Sequence, residues 1–305
     1  MMQMTRKGID HAYTSLVGLS VGDAFGEACS YGFQHVRDRL TQEGLATHSW
    51  CYTDDTELAI AIYEMLAQAG EIRQDTLARL MAERYRKDPD RGYGKMARMI
   101  LRGIANGDDW RTLSSGTFSG GSMGNGAAMR SAPLGSYFSD DFEILVSQAA
   151  ASAQISHYHQ EGVAGAIAVA LASGAATRFK DESPTSVADD IIHIVLKYTP
   201  QSETRTQLQR ALAFPADTNP AVVTQAVGNG FQVTSQDTVP FCVWNACRNI
   251  DNYREAILST IEVGGDCDTN GAIVGGIVSC FTGIDGIPRD WVNRCERLDI
   301  APLWP

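Results

Sequence analysis

Gly264-Gly265-Asp266-Cys267-Asp268-Thr269-Asn270-Gly271 runs straight into an apolar segment, residues 272–281. Two carboxylates and a hydroxyl sit between glycines, at the start of what the pattern predicts to be a buried helix. Such a cluster either caps the helix, where the dipole favours negative charge, or holds a hard cation. The order Asp-x-Asp-x-Asn-Gly imitates the opening of an EF-hand calcium loop. The twelfth position, however, is Ile277 where a bidentate Glu belongs. A cation here must draw its remaining ligands from elsewhere in the chain.

The matching half is Trp50-Cys51-Tyr52-Thr53-Asp54-Asp55-Thr56-Glu57. Leu58, Ala59, Ile62, Tyr63 and Leu66 then form the apolar stripe of a helix. Thr53 or Asp54 is the candidate N-cap, with Asp54 and Glu57 at capping-box spacing. Read separately, each acidic stretch is a helix start. Read together, they carry more carboxylate than caps use, and adjacent like charges cost energy unless a cation is present. Four carboxylates and two threonine hydroxyls suit Mg²⁺ or Mn²⁺ better than Zn²⁺. That much negative charge accommodates two ions sharing a carboxylate. Cys267 lacks a basic partner that would make it a nucleophile and reads as a small filler.

Helical periodicity dominates the rest of the chain. It predicts helices over 10–25, 75–86 and 95–103, then near 141–154, 160–175, 186–198, 204–213, 220–228, 238–249, 253–262, 270–281 and 289–298. Residues 31–50 read as loop with a short helix, 88–94 as a turn-rich loop, and 112–126 as a long Gly/Ser-rich loop. Alternating strand patterns are nearly absent. The expected fold class is all-α, one domain over residues 1–305.

The 305 residues are long enough to bury a sizeable core. A net charge of −11 argues against a general nucleic-acid or anionic-membrane binder. The seven cysteines include no C-x-x-C pair and read as free thiols. With no apolar signal core at the start and no membrane-length apolar run, a cytoplasmic monomer is expected.

Gly120-Gly121-Ser122-Met123-Gly124-Asn125-Gly126 lacks the Gly-Lys-Ser/Thr ending of a Walker A loop and the spacing of a Rossmann loop. It is either a plain surface loop or a backbone N–H cradle for phosphate. In the second case Ser122 and Asn125 add donors and Phe118 can stack on a base. His157, in Ser156-His157-Tyr158-His159, has no third ligand nearby to make a metal site, and His159 has less claim still.

Five motifs occur in order: Gly22-Asp23-Ala24-Phe25-Gly26, Tyr52-Thr53-Asp54-Asp55-Thr56, Gly124-Asn125-Gly126-Ala127-Ala128-Met129-Arg130, Ser156-His157 and Gly264-Gly265-Asp266-x-Asp268-Thr269. Together they resemble the ADP-ribosylglycohydrolase family, from about residue 12 to residue 295. The resemblance implies an all-α fold with two Mg²⁺ (or Mn²⁺) held by Thr53, Asp54, Asp55, Asp266, Asp268 and Thr269. It places Gly121, Ser122, Met123, Gly124 and Asn125 along a diphosphate and His157 near the ADP-ribose.

The implied activity is removal of ADP-ribose from a modified protein, with arginine the expected acceptor and Asp55 or Glu27 handling the proton. Serine-linked or free ADP-ribosyl compounds are alternative substrates. A non-catalytic ADP-ribose binder akin to the J1 crystallins is the alternative of another class. The chain departs from the family at one point: many members carry a Glu a few residues beyond Gly-Asp-Ala-x-Gly, where this chain has Ser30, with Glu27 three residues earlier.

Overall fold

The computed structural model describes residues 2–30, 35–41 and 49–300. Sixteen α-helices occur among them. They are α1 (Met2–Cys29), α2 (Val36–Thr41), α3 (Asp54–Ala69), α4 (Gln74–Lys87), α5 (Lys95–Ala105), α6 (Trp110–Gly116), α7 (Ala132–Tyr137) and α8 (Phe142–Gln154). The second half holds α9 (Gln160–Arg178), α10 (Pro184–Tyr198), α11 (Glu203–Leu212), α12 (Pro220–Val227), α13 (Ser235–Arg248), α14 (Tyr253–Ile261), α15 (Cys267–Thr282) and α16 (Arg289–Arg294). Among the described residues no strand forms; two isolated bridges join Trp50 to Cys295 and Gly124 to Thr234. The all-α class is therefore correct.

α9 is buried almost all round. A helix apolar on every side belongs at the centre of a core, and α9 packs against α7, α8, α10, α13 and α15. The most extensive helix pairing among the described residues is α1 against α15. A Cβ at Gly18, Gly22 or Gly26 would lie 2.5, 2.1 or 2.2 Å from the carbonyl oxygen of Gly275, Gly271 or Cys267, respectively. The pairs run in opposite directions along the two helices, so α1 and α15 are antiparallel. Glycines four apart line one face of a helix, and here that face removes every side chain that would hold the backbones apart. Tyr253 Oη and Ser15 Oγ donate across the same region to the Gly18 and Gly276 carbonyls at 2.6 and 2.9 Å.

The boundaries differ from the sequence reading in several places. α1 starts well before residue 10. The first part of the expected loop 112–126 is helical, because Asp109 caps α6 by accepting from Arg111 N–H and Trp110 Nε1 donates to Asp75 at 2.8 Å. α7 is short and wholly interior with proline in its first turn, so it has no amphipathic period to read. α16 ends at Arg294, not 298. Trp50 N–H donates to the Arg294 carbonyl and Glu296 N–H to the Trp50 carbonyl, holding this part of the chain extended. The expected loop 31–50 contains α2, and its residues 31–34 and 42–48 lie outside the described residues.

The α1–α15 crossing predicts a selective effect. Gly22→Ala should cost about 3 kcal/mol by overpacking, read as a lowered denaturation midpoint. Gly116→Ala, where an added Cβ meets nothing within 4 Å, should be close to neutral. Equal stability of the two variants would remove the backbone contact as a constraint.

Candidate active site

The α1–α15 crossing puts Asp23, on α1, beneath the start of α3. Its fully buried carboxylate accepts four hydrogen bonds, from the backbone N–H and hydroxyl of Thr53 and of Thr56, at 2.6–3.1 Å. Thr53 is the N-cap, its hydroxyl accepting from Asp55 N–H. The Asp54 N–H donates to the Arg91 carbonyl at 2.7 Å. The first turn of α3 is thus capped without the carboxylates of Asp54 and Asp55. Glu57 does not close the expected capping box; it is buried against Arg84 at 3.3 Å. At α15, Asp266 occupies the cap position but makes no capping bond, and its Oδ2 accepts from Asn125 Nδ2 at 2.7 Å. The cap reading fails for Asp54, Asp55 and Asp266 alike.

These carboxylates line one cavity of about 440 Å³. Asp54, Asp55, Asp266, Asp268 and Thr269 form its acidic wall. Asp55 Oδ1 is buried with no hydrogen-bond partner. Burial, reinforced by the neighbouring carboxylates, holds Asp54 and Asp55 well above the usual Asp range. Asp23 and Asp266 are raised to about 7, again by burial first and then by Asp268. Among the described residues no three His, Cys, Asp or Glu side chains already stand at metal-binding spacing. Carboxylates without a cation between them repel. The donor set is all oxygen, and an orphaned buried carboxylate oxygen is the kind of atom a hard cation satisfies.

The opposite wall is the glycine loop and the segment 156–157. Phe118 (φ 52°) and Met123 stand exposed at the mouth. Ser122, Gly124 and Asn125 line the cavity. Gly121 lies behind the wall: at φ 97° it passes so close to Tyr158 and His159 that a Cβ would fall 2.6 Å from the His159 nitrogen. The N–H groups of Gly121, Gly124 and Asn125 donate to Thr117 O, Ser122 Oγ and Val233 O, respectively. Among the described residues nothing accepts from the N–H of Ser122 or Met123. The expected cradle therefore narrows to those two donors.

His157 also faces this cavity. The buried Arg130 donates to Ser156 Oγ at 3.0 Å and to the carbonyls of Gly126 and Ser152. Ser156 Oγ lies 2.8 Å from His157 Nδ1. A guanidinium only donates, so the serine oxygen accepts from Arg130; among the described residues Nδ1 is the one acceptor in reach of the buried hydroxyl's own proton, which therefore goes to Nδ1. His157 then carries its proton on Nε2, beside Gly124 and Gly126. Burial, with Arg130 adding to it, lowers its pKa to about 3 and keeps the ring neutral.

Other expected residues fall elsewhere. Thr53 is absent from the cavity wall, and its hydroxyl bridges Asp23 and Asp55. Glu27 is exposed near the end of α1, outside the wall; partial burial and nearby Asp268 raise its pKa. His159 caps α9. Cys267 is buried, with its thiol pushed up to about 12, as a filler would be. The sequence reading gave no role to Asp23 or Arg130, although both stand in quoted motifs, and missed Gln232, Val233 and Thr234 on the cavity wall. Val233 has φ 54°, and nothing in the local sequence signals it.

A family model described as ADP-ribosylglycohydrolase matches residues 3–303. The chain belongs to the ADP-ribosylglycohydrolase family. Membership makes it a hydrolase of ADP-ribosyl compounds. It is 27% identical over 279 residues to the bovine ADP-ribosylhydrolase ARH3, covering 82% of this chain and 75% of the relative. The human ARH3 is equally similar, at 27% over 279 residues. The ADP-ribosylarginine hydrolase Tri1 of Pseudomonas putida is 21% identical over 308 residues, covering 94% of this chain and 75% of that one. A solved structure titled ADP-ribosylglycohydrolase-related protein complex shares the fold, with TM-score 0.60, 22% identity and coverage of 95% and 94%.

Three expected outcomes follow from this geometry. In the cation-free protein the folded state keeps protons on Asp23 and Asp266 up to about pH 7. The unfolded chain loses them near pH 4. Stability should therefore fall as pH rises from about 4 to 7. Asp55→Asn should raise the cation-free melting temperature at pH 7.5, by about 2–4 °C per kcal/mol recovered; no rise would mean the carboxylates are not in conflict. Separately, ¹⁵N NMR of His157 should show a bare Nδ1 and a protonated Nε2, and Ser156→Ala should lose that preference.

Proposed function

We propose that this hydrolase depends on divalent cations and removes ADP-ribose from ADP-ribosylated protein side chains, with arginine as the acceptor. The observation that carries the reading is the orphaned Oδ1 of Asp55 in a cavity walled by three further buried or half-buried aspartates. Asp54, Asp55, Asp266, Asp268 and Thr269 would hold two Mg²⁺ (or Mn²⁺). Thr53 supports them through Asp55. When bound, such ions supply Lewis-acid polarisation and an acidified water.

The chain's own residues do the rest. Cleavage at an anomeric carbon builds positive charge on the ribose, which the surrounding carboxylates stabilise. Asp55, with its unpartnered Oδ1, would accept a proton. The unpartnered N–H groups of Ser122 and Met123 and the Nε2–H of His157, all from residues lining the cavity, would serve diphosphate oxygens. Phe118 and Met123, at the mouth, offer apolar faces to a base. Glu27, outside the wall but close enough to Asp268 to feel its charge, is the alternative carboxylate for the proton. The arginine acceptor is supported by the likeness to the ADP-ribosylarginine hydrolase. The free thiols suit a cytoplasmic setting.

The test is a panel of arginine-, serine- and O-acetyl-linked ADP-ribosyl substrates, each with Mg²⁺, Mn²⁺ or EDTA. Release from the arginine-linked substrate should require the cation. Asp54→Asn and Asp266→Asn should each lower it roughly 10³-fold. Full activity in EDTA, or in both variants, would end the two-ion reading; release only from serine would replace the acceptor.

A further inference from the structure

Helix α5 separates two hollows. Met96, Ala97 and Leu101 face the active-site cavity. Arg98, Met99, Arg102 and Asn106 line a second hollow of about 620 Å³ on the other side. Lys95, in the first turn, lines both. Positions 95, 98, 99 and 102 share one helix face, so the cations form a row leading away from the site.

We propose that this row docks an acidic stretch of the polypeptide that carries the ADP-ribosyl group. The inference rests on the proposed hydrolysis of modified proteins and names the kind of sequence such proteins present beside the modified residue. Three observations carry it. Carboxylates outnumber cations in this chain, 36 to 25, yet among the described residues no ion pair takes Lys95 or Arg102. Arg98 gives Nε to the Tyr93 carbonyl and meets only Asp90, at 3.9 Å, which is 90% exposed. Arg102 uses one nitrogen, on Tyr85 Oη at 3.3 Å. Donors therefore remain free on all three.

The hollow is also polarised. Its single carboxylate, Asp108, is at the far end by Gly103 and Leu113, while Lys95 is at the end shared with the site. Met99, 47% exposed between the cations, adds apolar contact. Lys95 lines both hollows, so a chain leaving the active site past this residue meets the row at its first cation. Three cations match two or three carboxylates. A long polyanion such as a nucleic acid would run off the row onto a protein of net charge −11.

The experiment uses two mono-ADP-ribosylated peptides that differ only in flanking residues, three glutamates or three lysines, together with an ADP-ribosylated free amino acid. The wild type should show about tenfold lower KM for the acidic peptide at low salt, with kcat unchanged, and lose the difference at high salt. R98E/R102E should reverse the preference and R98Q/R102Q abolish it, while both keep wild-type turnover of the free amino acid. That turnover also reports folding. Equal KM for the two peptides in the wild type, or an unchanged preference in both variants, overturns the docking row alone. If the wild type releases ADP-ribose from none of the three substrates, the proposed function fails and the row falls with it.

Discussion

The structure depends on one close approach, the bare backbones of α1 and α15 crossing at Gly18, Gly22 and Gly26. Interiors are close-packed, and contact at this distance tolerates no Cβ. Everything acidic in the site is indexed to that contact. Asp23, one residue past Gly22, clamps the start of α3 through Thr53 and Thr56. Cys267, whose carbonyl meets Gly26, stands between Asp266 and Asp268. A single helix pair thus brings two stretches far apart in sequence to one wall. Neither stretch can shift without carrying the other's carboxylates with it.

The wall that results is electrostatically unfavourable in the protein alone. Burial and mutual repulsion raise four aspartates together, Asp23, Asp54, Asp55 and Asp266. Among the described residues the cation buried beside them is Arg130, and it is oriented by Gly126, Ser152 and Ser156 without an ion pair to any carboxylate among them. Folding supports this arrangement from outside the site. Arg91 lends its carbonyl to Asp54 while its guanidinium is held bidentate by Glu296 at 2.6–2.7 Å and stacks on Tyr52. The chain near residue 296 therefore helps fix the first turn of α3. Proteins retain strained or repelling groups chiefly where function uses them.

Much of this was legible in the sequence. Helices with an apolar stripe or a polar cap, such as α3, α8 and α14, announce themselves by period and punctuation. α7 does not, because six mostly buried residues with a proline in the first turn are too few to show a period. The two Asp-rich starts could be paired on chemistry, since their excess of carboxylate has no use in a cap. The roles of Asp23, Arg130 and Val233 could not. A buried Asp that clamps a distant turn, and an arginine that sets a histidine's tautomer through a serine, look in sequence like any helical residue.

The sequence by itself determined the helical class and the family, and it singled out the oxygen-bearing residues that the fold gathers around one cavity, because period and residue chemistry are local properties. Only the tertiary structure decided where each residue stands there and what it bonds to. It turned the carboxylates of Gly264–Gly271 away from capping and into a shared cavity, set the Thr53 hydroxyl between Asp23 and Asp55, and put Glu27 at the end of α1 near Asp268. It also reduced the glycine loop to two free donors. These are matters of direction and distance between segments far apart in the chain, and they are fixed by which backbones can touch.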